Sequence, residues 1–244
     1  REVLLSLCSY IISLGYVASG VIAMYYILVK WKIKLHMPNF KDVILTIKSS
    51  TDVFINNLMP NLYNSFSTFL LGVFGGAIST GKLDAGGKFV GIAQQFISVI
   101  SRTFYPYLSR KIGKHNFFVG INITISLFIS IILFVFAPLL IDLFFTSDFH
   151  DSIIVLRIML FSVIFLTLNN VYGTNYLLIK GFEKQLRNIT SISSLIGFSM
   201  SFPLIYFFDY IGAALTITFT RGIMGLTVAI YALRLKKRES EVPI

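Results

Sequence analysis

Residues 117–143 read FFVGINITISLFISIILFVFAPLLIDL, and in these twenty-seven residues a single charge, Asp142, appears only at the far end. A helix rises about 1.5 Å per residue, so about 20 such residues cross the roughly 30 Å hydrocarbon layer of a bilayer. The run is continuously apolar, unlike the alternating ~10-residue strands of a membrane barrel. Working outward, comparable runs occupy residues 3–29, 52–75, 86–109, 152–179, 188–208 and 210–233. Taken in chain order these are spans A to G, with the quoted run as D. The pattern predicts an all-α, polytopic transmembrane helix bundle of about seven spans.

The composition agrees. Of 244 residues 55% are hydrophobic and 13% are charged, with a mean hydropathy of +0.79, whereas soluble domains carry about 25% charged residues. A formal net charge of +10 would suit nucleic acid only as a patch on a soluble surface. Here the basic residues sit in short connectors, so nucleic acid is excluded as a partner and membrane lipids are expected around the chain. The lone Cys8 rules out an intrachain disulfide, and His36, His115 and His150 are too scattered for a metal site. No Gly-rich phosphate loop, GxSxG turn or pair of carboxylates on one helix face is present, so neither a cofactor nor an enzyme is expected. The chain opens on Arg1 with span A starting at Val3, which reads as a piece of a longer protein.

Orientation follows from the connectors, because Lys and Arg concentrate on the cytoplasmic side of a membrane. Fifteen of the 21 basic residues lie between A and B, between C and D, between E and F, or after G. The opposite side holds only Arg1, Lys82 and Lys88. This predicts a cytoplasmic C-terminus. Residues 1–29 are span A and residues 30–50 a connector. In it, Phe40, Val43, Ile44 and Ile47 fall at i, i+3, i+4 and i+7, which predicts a short amphipathic helix on the membrane surface. Residues 51–233 hold the six spans B to G, and residues 234–244 form a basic cytoplasmic tail.

Ionisable groups inside a span cost about 2.5–3.5 kcal/mol on insertion scales and normally face other helices or a water-filled cavity. Three arginines meet this description: Arg102 two-thirds along span C, Arg157 in the outer third of span E, and Arg221 near the middle of span G. Arg157 is placed to reach outer headgroups by snorkelling. Span C puts Gln95, Ser98, Arg102 and Tyr105 on one face; span B puts Asn57, Asn61 and Asn64 on one face around Pro60; and span E carries Asn169, Asn170 and Asn175. Amides suit sugar hydroxyls and guanidinium groups suit phosphate oxygens. The candidate substrate contacts are therefore Arg102, Arg221, Asn57, Asn61, Asn64 and Gln95. The competing reading of the amides is packing between helices.

Three stretches carry a resemblance. LDAGGKFVGIAQQFISVISRTFYPYLSRKIG places a Pro after an aromatic at the end of its span, in Tyr105-Pro106-Tyr107-Leu108-Ser109. FAPLLIDLFFTSDFHDSIIVLRIMLFSVIF places Pro138 near the outer end of one span and Val155-Leu156-Arg157-Ile158-Met159 in the next. YLLIKGFEKQLRNITSISSLIGFSMSFPLIYFFDYIGAALTI sets Gly181 beside Lys180 in a turn and opens the last span on Gly212-Ala213-Ala214. In order and spacing over residues 80–235 the chain resembles the polysaccharide-transporter branch of the multidrug/oligosaccharidyl-lipid/polysaccharide exporter superfamily, and within it the Wzx-type O-antigen flippases.

That resemblance implies two six-helix lobes around a cavity that opens alternately to each side. Spans B to G would be the C-terminal lobe, span A the last helix of an N-terminal lobe that is otherwise missing, and residues 30–50 the linker. It further implies a flippase in a bacterial inner membrane that moves a lipid-linked oligosaccharide on polyprenyl pyrophosphate, with Arg102 and Arg221 on the anionic headgroup and the amides on sugars. The competitors are a drug exporter of the same superfamily, which would need intramembrane carboxylates, and an O-antigen polymerase, which would need a large outer loop. The longest outer connector expected here is about ten residues, 77–86.

Overall fold

The computed structural model describes residues 2–31 and 39–241, so most of the predicted linker's first half, with Lys32, Lys34 and His36, lies outside the described residues. The chain divides into two compact units, residues 1–49 and 50–244. Helices are the only regular structure among the described residues: the chain is an all-α membrane-type bundle.

In the first unit α1 spans Glu2–Tyr25 and continues as a wide π-helical turn, Tyr26–Lys30. Its described side chains, among them Tyr16, Val17 and Val21, are bare to the surroundings. A second helix, α2, runs Phe40–Phe74 without a break. It thus joins the amphipathic stretch to span B, where the sequence suggested two separate elements. The polar residues that suggested a boundary fold their hydroxyls back onto the helix: Thr46 Oγ1 donates to the Asp42 carbonyl at 2.8 Å and Ser49 Oγ to that of Thr46 at 3.0 Å. Such back-bonding satisfies a hydroxyl without ending the helix.

The second unit holds the bundle. The chain reverses at Gly75-Gly76, where Gly76 has φ +73, a left-handed conformation that glycine adopts at little cost. Helix α3 then runs Gly76–Arg110. It begins ten residues before the expected span C, so the expected outer connector 77–86 is helix. Thr80 Oγ1 bonds the Gly76 carbonyl at 2.9 Å and Lys88 pairs with Asp84 one turn back at 3.5 Å, both compatible with an exposed helical turn. Span D is also modified. It divides at Phe136 into α4, His115–Val135, and α5, Ala137–Phe144, with Pro138 in the first turn of α5, where its missing N–H costs nothing.

Helix α6, Ser152–Leu168, continues as a π-helical segment, Asn169–Leu178, and ends at Gly181 with φ +80. The helical stretch Glu183–Glu241 is broken at Asp209, φ 50 and ψ −130, into α7 (183–208) and α8 (210–241). The expected gap between spans F and G falls at that residue. The expected basic tail is helical through Glu241, as part of α8.

Helix α6 is the axis of the unit, touching α3, α4, α5 and the α7/α8 pair. A side chain at Gly225 of α8 would collide with the Phe165 carbonyl of α6, so these two backbones meet directly. The motif Gly212-Ala213-Ala214 has the same cause: all three are buried where α8 turns back on α7, and a Cβ at Gly212 would strike the Leu204 carbonyl. Packing gives directions too. Helix α2 runs alongside α7 in the same sense, through Asp52 with Arg187, Asn56 with Thr190 (2.7 Å) and Phe66 with Phe198 (ring centroids 4.2 Å). Helices α3, α6 and α8 run the other way.

Among the described residues four helices are long and apolar enough to cross a membrane: Ser13–Lys30, His115–Val135, Ser152–Leu178 and Glu183–Arg238, the last long enough for two passes about its break. Helices α2 and α3, 35 residues each, are long enough but fall outside that set. They carry Asn56, Asn57, Asn61 and Asn64, and Gln94, Gln95 and Arg102. These two helices are also the ones to which the sequence assigns most of the candidate contacts.

Candidate functional site

Between α3 and α6 with its π-helical continuation lies a half-open cleft of about 270 Å³, lined by Gly91, Gln94, Gln95, Ser98, Leu166 and Asn170 among others. Its polar groups come mainly from α3, at the i, i+3 and i+4 spacing that puts residues on one helix face. Gln95 and Ser98 continue that face to Arg102, one turn on. Arg102 is exposed, and among the described residues no hydrogen bond or ion pair ties it down. On α2, Asn57 and Asn61 are one turn apart and likewise exposed. Counting from the reversal at Gly75, Asn57 and Gln95 are 18 and 20 residues away along the two helices, so at about 1.5 Å per residue they lie at similar depth.

The remaining two candidates meet each other instead. Arg221, 9% exposed, donates from one terminal nitrogen to Ser162 Oγ at 2.9 Å and from the other to Asn64 Oδ1 at 3.3 Å. Its Nε is buried without a partner. The Ser162 hydroxyl donates to the Met159 carbonyl at 2.6 Å, leaving its oxygen to accept from the guanidinium. The arrangement ties α8 to α6 and α2 through neutral acceptors, with no carboxylate. Helix α6 separates it from the cleft: Val163 and Leu166 face the cleft, while Ser162 and Phe165 face α8. The structure therefore brings Arg221 and Asn64 together in the interior, places Gln95 in the cleft, and leaves Arg102, Asn57 and Asn61 on exposed faces.

Each end of the bundle carries a polar cluster that the sequence did not single out. At one, the α7/α8 break is latched by Ser79 Oγ, which donates to Asp209 Oδ2 at 2.5 Å. Beside it Lys82 binds Asp151 at 2.6 Å and lies 5.0 Å over the Tyr210 ring. The bond to Asp151 holds the Lys82 pKa above its ordinary value against the opposing effect of burial. The same bond lowers that of Asp151. At the other end, His115 joins the Val171 carbonyl at 2.9 Å, and Lys236 reaches His115 Nδ1 at 2.8 Å and Asn116 Oδ1 at 2.7 Å. A cationic donor at Nδ1 fixes the neutral ring with its proton on Nε2, aimed at Val171. Lys82 and Asp151 are 69 residues apart and Lys236 and His115 are 121 apart; no local pattern foretells either pair. For the cleft a signal existed in the doublet Gln94-Gln95.

A helical bundle with polar groups held within its apolar length has the make-up of a polytopic, multi-pass membrane protein. Residues 4–112 match the family described as polysaccharide biosynthesis protein. The chain is similar to the protein named "Putative O-antigen transporter" of Escherichia coli (strain K12), 25% identical over 90% of this chain and 55% of that protein. It is also similar to the protein of the same name from Shigella dysenteriae, 22% identical over 88% of this chain and 55% of that one. The chain thus spans about half the length of the curated relatives it matches. No solved structure matches it. These matches point the same way as the resemblance read from the sequence: the chain is similar to proteins named as O-antigen transporters and, over residues 4–112, to a polysaccharide biosynthesis family.

Proposed function

We propose that this chain is the C-terminal part of a flippase that carries lipid-linked oligosaccharide repeat units across a bacterial inner membrane by alternating access. Residues 51–233 would be its C-terminal lobe, 1–29 the last helix of the preceding lobe, 30–50 the linker, and 234–244 the cytoplasmic end. The single observation that carries the reading is the exposed polar surface of α2 and α3 in an otherwise apolar bundle. Intramembrane amides and a cation are stable where they face a cavity, and a second lobe facing α2 and α3 would enclose one. Arg102, exposed and unpaired, is the group suited to a pyrophosphate; Gln95, Asn57 and Asn61 suit sugar hydroxyls. Arg221 and Asn64, held by each other and by Ser162, position α2 against α8 from behind. Transport is a transporter's work, so no covalent chemistry is assigned to the site.

The basic end, with Arg110, Lys114, Lys180 and Lys236, would be cytoplasmic. Cysteines at Ser147 and Ser109, both exposed, test this: S147C should label from outside the cell and S109C only after permeabilisation. The function is tested by deleting the gene and running surface lipopolysaccharide beside an assay for lipid-linked repeats. Loss of the long-chain ladder with single repeats trapped inside is the expected result. A ladder cut to one repeat per core would mean a polymerase, and an unchanged ladder would mean a different cargo.

A further inference from the structure

Arg157 is the third arginine within the apolar helices, and neither the cleft nor the Arg221 network uses it. On α6, Arg157, Leu160, Phe161 and Ile164 fall at i, i+3, i+4 and i+7, and on α4 Leu127, Ser130, Ile131 and Phe134 do the same. In a membrane bundle, largely apolar stripes of this kind either pack on a neighbouring helix or face lipid. Here they leave a groove of about 280 Å³ between them. Its rim is open: Phe161 is 55% and Ile131 60% exposed. The groove lies on the side of α6 turned away from Val163 and Leu166, so it is separate from the polar cleft.

Arg157 does not line the groove itself but borders it through Phe134, which does. The Arg157 guanidinium stacks 5.0 Å from the centre of the Phe134 ring, and its Nε is buried with no hydrogen-bond partner. No acid answers it among the described residues: Asp151 is taken by Lys82 and Asp142 by His150 at 3.1 Å. Ser130, 6% exposed, lines the groove with its hydroxyl also unpartnered. Arg157 sits five residues into α6, roughly 7.5 Å from the helix start at ~1.5 Å per residue, within reach of a headgroup phosphate for a long side chain. An apolar channel ending in an unanswered guanidinium matches one chain of a lipid whose headgroup is an anion. Guanidinium pairs with phosphate oxygens through a planar fork.

We propose that the α4/α6 groove is a binding site for an anionic phospholipid, one acyl chain lying between Leu127 and Ile164 and the phosphate resting on Arg157. The site is independent of what the protein transports. A reporter at the rim reads it directly. The variants F161W and, on the facing helix, I131W each add an indole beside the groove. Each is reconstituted in phosphatidylcholine vesicles containing either brominated phosphatidylglycerol or brominated phosphatidylcholine, and the signal of the parent protein is subtracted. Phosphatidylglycerol should quench the added fluorescence with about fivefold higher apparent affinity, the scale of one cation acting on an anionic lipid. R157Q should remove the preference and R157K should keep most of it. Equal quenching by the two lipids at both reporters, or a preference that survives R157Q, would overturn the proposal; the former would mark the groove as ordinary lipid contact.

Discussion

Arg221 and Arg102 are the same side chain set into helices of one apolar bundle, and the fold treats them in opposite ways. Arg221 is drawn into the interior, where Ser162 and Asn64 accept two of its five N–H donors. Arg102 stands on the exposed face of α3 with no partner among the described residues. A buried cation held by neutral acceptors is part of the packing, and its removal is felt by the fold. An exposed, unanswered cation about three-quarters of the way along α3 adds nothing to packing, so its reason lies with whatever comes to that face. The teaching is that depth along a helix does not assign a role to an intramembrane arginine. Its azimuth and partners do.

The interior side of the comparison should break hardest. G225V places a branched side chain where α8 and α6 already meet main chain to main chain at the Phe165 carbonyl, and relief requires separating two central helices. Overpacking of this kind costs about 3 kcal/mol or more, so G225V should be lost as a monodisperse species on size exclusion in detergent. R221E comes next. A carboxylate there would face the two oxygens that now accept from the guanidinium, and uncompensated charge at a buried site costs about 3 kcal/mol. Its thermal midpoint should drop sharply. R221M, similar in length and without the charge, should stay close to the parent, because a buried ion replaced by an apolar side chain is commonly near neutral. An R221M protein of normal stability that transports nothing would move Arg221 from the packing to the substrate and break the comparison.

The exposed side should behave in reverse. R102L should leave the thermal midpoint unchanged, since substitutions away from packed features are usually within about 0.5 kcal/mol. On the proposed function, it should cut the rate at which lipid-linked repeats leave the cytoplasmic leaflet by roughly ten- to a hundredfold, the equivalent of one hydrogen bond to a charged group, about 1.5–3 kcal/mol. R102K should recover part of the rate, because it restores the charge without the planar fork. Q95A, which removes one amide from the cleft, should lower the same rate several-fold with no change in stability. Loss of stability in R102L would show that Arg102 is packing material after all.

Much of the bundle was legible because apolar runs are a local property. The break at Asp209 falls in the one-residue gap between spans F and G, and Gly181 has the positive φ expected of a turn after Lys180. Sequence and structure part where polar residues fall inside a helix. Residues 48–52 and 76–86 contain Ser, Thr, Lys and Asp, yet both are helical, because hydroxyls bonded to carbonyls three or four residues back and a Lys88–Asp84 pair suit a helix as well as a loop. The site divided along the same line. Gln95, Ser98 and Arg102 share a face by periodicity alone, and the structure keeps them on one. That Asn64 turns inward to Arg221, 157 residues away, depends on α2 packing beside α8, and one serine among the many in these helices gives no sign that it is the acceptor.

Lys82 tests the comparison from a third position, neither bare like Arg102 nor held by neutral groups like Arg221, since it has a true counter-ion in Asp151 at 2.6 Å. The pairing lowers the Asp151 pKa in the folded state and raises that of Lys82. The sign of the pH dependence follows. A depressed carboxyl stabilises the fold above its unfolded pKa of about 3.9 and loses that contribution as pH falls through the lower folded value. A raised ammonium stabilises below its unfolded pKa of about 10.4 and loses its contribution as pH rises through the higher folded value. The pair therefore supports the fold across the whole neutral range, and its effect fades only at the two extremes. Asp151 is exposed, so solvent and salt screen the interaction and the expected change is the smallest of the series. D151N should lower the thermal midpoint slightly at pH 7, by an amount that shrinks in high salt and toward pH 3. A midpoint difference between D151N and the parent that is unchanged from pH 7 to pH 3 would mean that Asp151 acts through its shape at the start of α6, and that the charge of Lys82, like that of Arg102, is unanswered in energetic terms.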